Sequence, residues 1–424
     1  MKRRTSIVKL LIPTGLALVG FVGAPSVRAD EVTEWNQNML QAGLVARTSP
    51  LIMTRVAAIV QASVFDAVNG IERRYTPVHV SAAAPRGASR RAAVVQAAYA
   101  SLLKLYPTQK PALDTQLAAS LANLIEDGED VGQSIERGLA WGQQVADEIW
   151  AWRSTDGFTP APSPFLGGTA VGQWRPTPPG FLSGAGPQFA YMTPWAIQSP
   201  AQFRPGGPPA LASAQYAADF NETKTMGRDT SATRSADQAL ACRFWNASTA
   251  SYYWNRVAVQ LAEENDFSLS QNAHLLAALD IAMADAAIAC WEAKYTYVFW
   301  RPVTAIPSLD DDGNPATDPD PSWLPLLITP NHPEYPSGHS TVSGAAGAVL
   351  ADYFGDASSF TIDSDVILGV TRPFTSFTAA LEEVKDARIF AGIHYRSACN
   401  DGQATGIQVA NYVLQNALRR VHGE

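Results

Sequence analysis

Cysteine is scarce in this chain: Cys242, Cys290 and Cys399 are the only three among 424 residues. Their spacing makes no metal-ligand pattern, and three thiols allow at most one internal disulfide. Cys290 lies in an apolar helical run and reads as a small buried hydrophobe. Positive charge is short as well. Lys and Arg number 31 against 39 Asp and Glu. No basic stripe is available to neutralise phosphates, so a nucleic-acid partner is excluded. Beyond the first 29 residues there is no uninterrupted apolar run of about 18, which predicts a chain without a membrane span once its leader is removed. No repeat stands out, and strand signals are few.

What is present begins with that leader. "MKRRTSIVK" is basic, "LLIPTGLALVGFVGAP" is apolar, and "SVRA" ends in small residues. Residues 1–29 therefore read as a signal peptide cleaved after Ala29, and the protein is expected to be exported, to the periplasm or the medium. Removal of Lys2, Arg3, Arg4, Lys9 and Arg28 takes the net charge from −8 to −13.

The rest of the chain reads as all-α. Apolar residues recur at helical spacing over 54–72, 89–106, 115–127 and 130–153, which defines an N-terminal helical part, 30–155. Composition then shifts. Residues 160–209 hold 12 of the 29 prolines, together with Trp174, Phe181, Phe189, Tyr191, Trp195 and Phe203. Such a stretch is neither regular helix nor central strand. It carries more aromatics than a solvated linker needs, and 156–215 is expected to wrap the helical body as ordered coil. Helical patterns resume over 235–265 and 269–300, then near 338–354, 375–388 and 394–419, so 216–424 is expected to form a C-terminal helical bundle. The acidic loop between them sets Asp310, Asp312 and Asn314 at alternate positions, but its glycine is misplaced for a calcium loop and no glutamate stands at position twelve. It reads as a solvated turn.

Three stretches carry chemistry. In "WEAKYTYVFWRP", read as the end of a helix that Pro302 stops, Lys294 and Arg301 stand seven apart, two helical turns, and so share a face, among Trp291, Tyr295, Tyr297, Phe299 and Trp300. Cations buried among aromatics need an anion. In "HPEYPSGHS", Ser337 is a good N-cap and Gly338 lets a ligand approach the backbone. The start of a helix there offers free N–H groups and the positive dipole end to an anion, with His339 beside it as acid or base. In "DARIFAGIHYRSACNDG", Arg388 and His394 are six apart and would diverge on one straight helix. Gly392 permits a break that turns both toward one pocket. Three cations around a helix N-terminus describe a site for a tetrahedral, multiply charged oxyanion.

The ordered set "KYTYVFWRP", "PSGH" and "RIFAGIH", with 33 and 48 residues between successive blocks, resembles the signature shared by vanadium-dependent haloperoxidases and the type-2 phosphatidic acid phosphatases. The stretches "VFDAVNG" and "RFWNASTASYYW" resemble the bacterial branch of the haloperoxidases. That resemblance implies packed helical bundles and a vanadate cofactor, without haem. Lys294, Arg301, Ser337, Gly338 and Arg388 would hold the vanadate oxygens, His394 would be the vanadium ligand, and His339 the acid–base residue. Hydrogen peroxide and a halide would be the substrates, with hypohalous acid as product and small organic molecules as further acceptors. Trp291 resembles the halide-side tryptophan of the chloroperoxidases, and His332 the histidine found near that place in bromoperoxidases, which leaves the halide open.

Two positions depart from the family's pattern. Ala387 stands where the family usually has serine. Ala398 stands where an aspartate usually orients the ligand histidine, and Asp401 lies too far along a helix to replace it. A backbone carbonyl, or Asp280 or Asp285 on the preceding helix, is expected in that role. Loss of the aspartate weakens a nucleophilic histidine more than a metal ligand. Two other readings stay open: an exported phosphatase in which His394 attacks phosphorus and His339 protonates the leaving alcohol, and a non-catalytic phosphate- or vanadate-binding protein.

Overall fold

The computed structural model describes residues 30–127 and 132–421; the expected leader lies outside them. The described residues form thirteen α-helices and one two-stranded hairpin. The helices are α1 (Glu31–Val45), α2 (Pro50–Glu72), α3 (Arg90–Leu105), α4 (Lys110–Asp127), α5 (Gly132–Arg153), α6 (Ala214–Met226), α7 (Ala236–Ala247), α8 (Ala250–Glu264), α9 (Leu269–Tyr297), α10 (Pro302–Ala305), α11 (Gly338–Phe354), α12 (Phe377–Phe390) and α13 (Arg396–Asn416). Starts are set by local chemistry. Ser49, Ser89, Ser213, Ser235, Thr249, Ser337 and Ser376 each accept a first-turn backbone N–H on a side-chain oxygen. The antiparallel hairpin, β1 (Phe360–Asp363) and β2 (Thr371–Phe374), pairs Phe360 with Phe374 and packs both rings into the core.

Three helical expectations need correction. Residues 235–265 are two helices, because Ser248 is extended and Thr249 caps a new start. The helix from 269 stops at Tyr297, where Val298 takes a left-handed φ of 50° and its N–H bonds the Lys294 carbonyl. Arg301 therefore lies beyond the helix that carries Lys294, at the N-cap of α10, rather than two turns along it. His394 lies just ahead of α13 rather than inside it. The sequence reading also passed over α1 and α6, and the hairpin was not foreseen.

The largest apolar cluster draws residues from α1, α2, α3, α8, α9, α11, α12 and α13, so the N- and C-terminal helices share one core. Helices α2 and α9 are long and apolar enough to cross a membrane by length and composition, and both are mostly buried inside the fold. The Pro/Gly-rich coil is tied to this body by its backbone. Trp174 N–H donates to Val298 O at 2.7 Å, Trp300 N–H to Gly172 O at 2.9 Å, and Ala185 N–H to Asn331 O at 2.7 Å. Asp285 of α9 accepts three backbone N–H groups from Trp195, Ala196 and Ile197. Trp174 and Phe189 are buried, whereas Phe181 and Tyr191 are exposed. The acidic loop is a turn closed by its own side chains, with Gly313 N–H bonded to Asp311 and Asn314 N–H to Asp312. All three cysteines are free and buried.

Helices α11 and α13 approach closely at two glycines. A Cβ on Gly406 would stand 2.0 Å from Thr341 O, and one on Gly402 2.8 Å from Ser337 O. Only glycine permits that contact, and it fixes where the N-terminus of α11 sits.

Candidate active site

Lys294, Arg301, Ser337 and Arg388 are all 0% exposed and His394 is 1% exposed. Lys294 comes from the last turn of α9 and Arg301 from the segment the coil pairs with. Ser337 and Gly338 open α11, and Arg388 occupies the last turn of α12. Gly392, at φ +77°, makes the break expected between Arg388 and His394. A Cβ there would meet the Gly227 carbonyl at 2.5 Å, so glycine is required on two counts.

The three cations differ in what they already bind. Lys294 Nζ donates to Pro333 O at 2.8 Å, to Glu334 O at 3.0 Å and to Pro336 O. It thus braces the loop ahead of α11. Arg301 donates from Nε to His332 O at 2.9 Å, from Nη1 to Ile393 O at 2.6 Å and to His394 Nε2 at 3.1 Å, and from Nη2 to His332 Nδ1 at 3.0 Å. Arg388 has one bond, from Nη1 to Asn246 Oδ1 at 3.3 Å; its Nε and Nη2 are buried without a partner among the described residues. Burial is the main force on all three. It lowers Lys294 to about 7 and Arg301 and Arg388 to about 10. Glu334 is the main offset for Arg301, Cys290 and then Glu334 for Lys294, and no carboxylate opposes it for Arg388. One carboxylate, Glu334, itself pushed up to about 7 by burial, stands against three buried cations, an excess of positive charge that a bound anion relieves.

Glu334 is the residue sequence reasoning passed over, although it stands inside the stretch that drew attention. Its Oε1 accepts from His394 Nδ1 at 2.8 Å and from Tyr395 N–H at 2.9 Å. Neither carboxylate expected in that role reaches His394: Asp285 holds the coil, and Asp280 accepts from Asn255 Nδ2 at 2.9 Å. Asp401, as expected, is elsewhere and accepts from Tyr335 Oη at 2.6 Å. Ala387 is a core residue. The missing aspartate at 398 is thus no argument against a nucleophilic His394, since Glu334 supplies a carboxylate to the same ring. Asn246 was also missed; it sits in "RFWNAS", just before the helix break that brings it to Arg388.

The site forms the floor of a cavity of about 360 Å³ lined by Gly338, His339, Arg388 and His394. A Cβ on Gly338 would lie 3.1 Å from the Trp291 ring and 3.9 Å from Lys294 Cε, so the start of α11 rests directly on α9. His339 and His332 both line the cavity. Burial first, then the surrounding cations, holds His332, His339 and His394 well below the usual imidazole range, so all three are neutral. The Trp291 and His332 rings lie 5.0 Å apart, and the indole N–H of Trp291 is taken by Ala185 O at 2.9 Å. The upper wall is apolar and comes from elsewhere in the chain: Pro50, Leu51 and Ile52 of α2, and Phe189 of the coil.

Comparison with known proteins bears on the same region. The family described as the VCPO second helical-bundle domain matches residues 274–423, which contain every site residue named from sequence. Vanadium chloroperoxidase of Curvularia inaequalis is 35% identical over 114 residues, 23% of this chain and 18% of that protein. A bacterial vanadium-dependent iodoperoxidase superposes with a TM-score of 0.79 at 28% identity, covering 93% of this chain and 98% of its own. The chain belongs to the vanadium haloperoxidase superfamily.

Further likenesses are narrower. Vanadium-dependent bromoperoxidase of Corallina pilulifera is 36% identical over 119 residues, 24% of this superfamily member and 20% of the algal protein. The matched stretches thus span about a fifth of the two curated relatives. A bacterial vanadium-dependent chloroperoxidase in its holo form shares the fold, with a TM-score of 0.70 at 16% identity over 93% of this chain and 98% of its own. The apolar wall from α2 and the coil lies outside residues 274–423, so it belongs to this chain's own N-terminal half.

Proposed function

We propose that this protein is a vanadate-dependent peroxidase that uses hydrogen peroxide to oxidise a halide to hypohalous acid, in a chain exported by its N-terminal leader. The observation that carries the reading is Arg388, a fully buried guanidinium with two nitrogens unpaired among the described residues, in the lining of the cavity. The donor set fits vanadate. Arg388, Arg301 and the first-turn N–H groups of α11 would hold its oxygens, and His394 Nε2 would be its ligand. Vanadate held there supplies a Lewis acid that activates peroxide toward halide without a change of its own oxidation state.

The chain's own residues do the rest. Lys294 contributes positive charge and keeps the loop ahead of α11 in place through three carbonyls. His339 lines the cavity, and its imidazole takes up and returns a proton there. The likeness at 28% identity to an iodoperoxidase over nearly its whole length supports iodide as the first halide to assay. A cavity of about 360 Å³ is far larger than a halide requires, and its apolar wall supports a small organic acceptor of the oxidised halogen.

The test is reconstitution of the protein with vanadate, followed by iodide and bromide oxidation by peroxide. The same assay on His339→Ala and His394→Ala should lose activity by at least about 100-fold. Unchanged turnover in both variants would sink the assignment of the site. The competing reading is a phosphatase, which the Glu334–His394 pair accommodates equally well. It predicts phosphate-ester hydrolysis without vanadate and no halide oxidation with it.

A further inference from the structure

We propose that Glu334 is the positioning residue that fixes His394 as its Nδ1–H tautomer and so presents a bare Nε2 to the bound oxyanion. Two hydrogen bonds at opposite ends of the ring lead to the same tautomer. A guanidinium only donates, so the 3.1 Å contact between Arg301 Nη1 and His394 Nε2 makes Nε2 an acceptor. The proton is then on Nδ1, 2.8 Å from Glu334 Oε1, which as a carboxylate accepts it. A flip of the ring about Cβ–Cγ would put Cδ2 against Glu334 and Cε1 against the guanidinium and break both contacts. The neighbouring Tyr395 N–H donates to the same Oε1 at 2.9 Å, so one oxygen fixes both the imidazole and the backbone beside it.

Glu334 is itself held from three sides. Its N–H donates to Phe299 O at 2.9 Å, its carbonyl accepts from Lys294 Nζ at 3.0 Å, and its side chain is 0% exposed. A single residue thus joins the Lys/Arg segment, the loop ahead of α11 and the segment of His394. No other carboxylate of the described residues stands in for it. Asp401 is taken by Tyr335, Asp280 by Asn255 and Asp285 by the coil backbone, and residue 398 is alanine. Metal-binding histidines generally donate their second ring N–H to such a partner, which sets the tautomer and raises ligand basicity. Here that partner comes from the strand-like approach to the oxyanion helix rather than from the helix that follows the histidine.

The tautomer is a property of the protein alone; the ligand arm of the test rests on the vanadate reading above. Histidine labelled with ¹⁵N in the full chain reports each ring nitrogen, and His394 is assigned by its loss in His394→Gln. The expected wild-type pattern is a protonated Nδ1 and a bare Nε2. In Glu334→Gln the amide can turn its NH₂ toward Nδ1, so the pattern should shift toward protonated Nε2. Vanadate affinity should fall about 10- to 100-fold, and phosphate, which forms no bond to the imidazole, should lose much less. Glu334→Asp should restore part of the vanadate affinity. A bare Nδ1 or a doubly protonated ring in the wild type overturns the proposal, as does a folded Glu334→Gln with unchanged tautomer and unchanged vanadate affinity. Should Glu334→Gln fail to fold, the wild-type pattern alone still decides. A wild type that shows the expected tautomer and binds no vanadate contradicts the peroxidase reading and supports the Glu334 assignment.

Discussion

Arg388 Nη1 lies 3.3 Å from Asn246 Oδ1, and this is the only hydrogen bond its guanidinium makes among the described residues. A buried cation so poorly paired costs the ligand-free fold free energy and favours any fold-bound anion. Arg388→Leu should therefore leave the thermal midpoint of the ligand-free protein unchanged or higher. Phosphate at a hundredfold excess over its Kd stabilises the wild type by about 2.7 kcal/mol, and that gain should vanish in the variant. Thermal unfolding with and without phosphate measures both. A destabilised variant that keeps the phosphate shift would show Arg388 to be structural.

Anion binding should depend on pH through Lys294, lowered by burial to about 7. In the ligand-free site the ammonium is charged below that pH and neutral above it. A bound anion raises the pKa, so binding above pH 7 takes up a proton. Affinity falls as pH rises, by up to about tenfold per unit. Sulfate, which does not titrate in this range, is the suitable probe. Calorimetry at pH 8 in two buffers of different ionisation enthalpy should register proton uptake; a flat affinity from pH 7 to 9 would contradict the assignment. For the ligand-free fold the sign is opposite. The unfolded chain binds the extra proton between about 7 and 10.5, so this group's contribution to stability improves as pH rises through that window.

The apolar wall separates halide oxidation from transfer to an organic acceptor. Leu51 lines the cavity and packs with Phe189 and Trp291, and it offers no polar group to the anion. Leu51→Trp should leave triiodide formation close to wild type and lower iodination of a bulky naphthol by at least about tenfold, the scale of one or more methylene-sized mismatches in an apolar pocket. Equal effects on both rates would place halogen transfer outside the cavity.

Gly406 sets the distance between α13 and α11, with Thr341 O only 2.0 Å from where its Cβ would be. Gly406→Ala should cost about 1–3 kcal/mol of stability through overpacking. It should also weaken phosphate binding, because the shift reaches Ser337 and Gly338 at the start of α11. Denaturant unfolding and phosphate titration of the same preparation check both. Full stability would mean the helices separate without strain.

The all-α class was legible because helical periodicity is long and repeated, and helix starts carry Ser and Thr caps. The site's cations and histidines were legible because three ordered blocks bring them together. What escaped was set by tertiary contact. The end of α9 at Tyr297 depends on the coil pairing with residues 298–300, and nothing in "KYTYVFWRP" marks Val298 for a left-handed turn. Helix α6 is short and largely polar, so its periodicity is faint. Glu334 was hidden by its neighbours, since "PEYPSGH" reads as a loop. A buried carboxylate becomes visible only when the segment carrying His394 is folded against it. The same holds for Asn246, which is remote from Arg388 in sequence and meets it because Thr249 restarts the helix.

The central claim is that the buried cations and His394 serve vanadate-dependent oxidation rather than phosphate-ester hydrolysis. The most direct measurement runs both chemistries on one preparation of the protein: triiodide formation from iodide and peroxide, and release of nitrophenol from nitrophenyl phosphate, each with and without added vanadate. The account predicts iodide oxidation that appears only with vanadate, saturates with it, and is lost in His394→Ala. Hydrolysis that proceeds without vanadate and is inhibited by it, with no iodide oxidation under any condition, would contradict it.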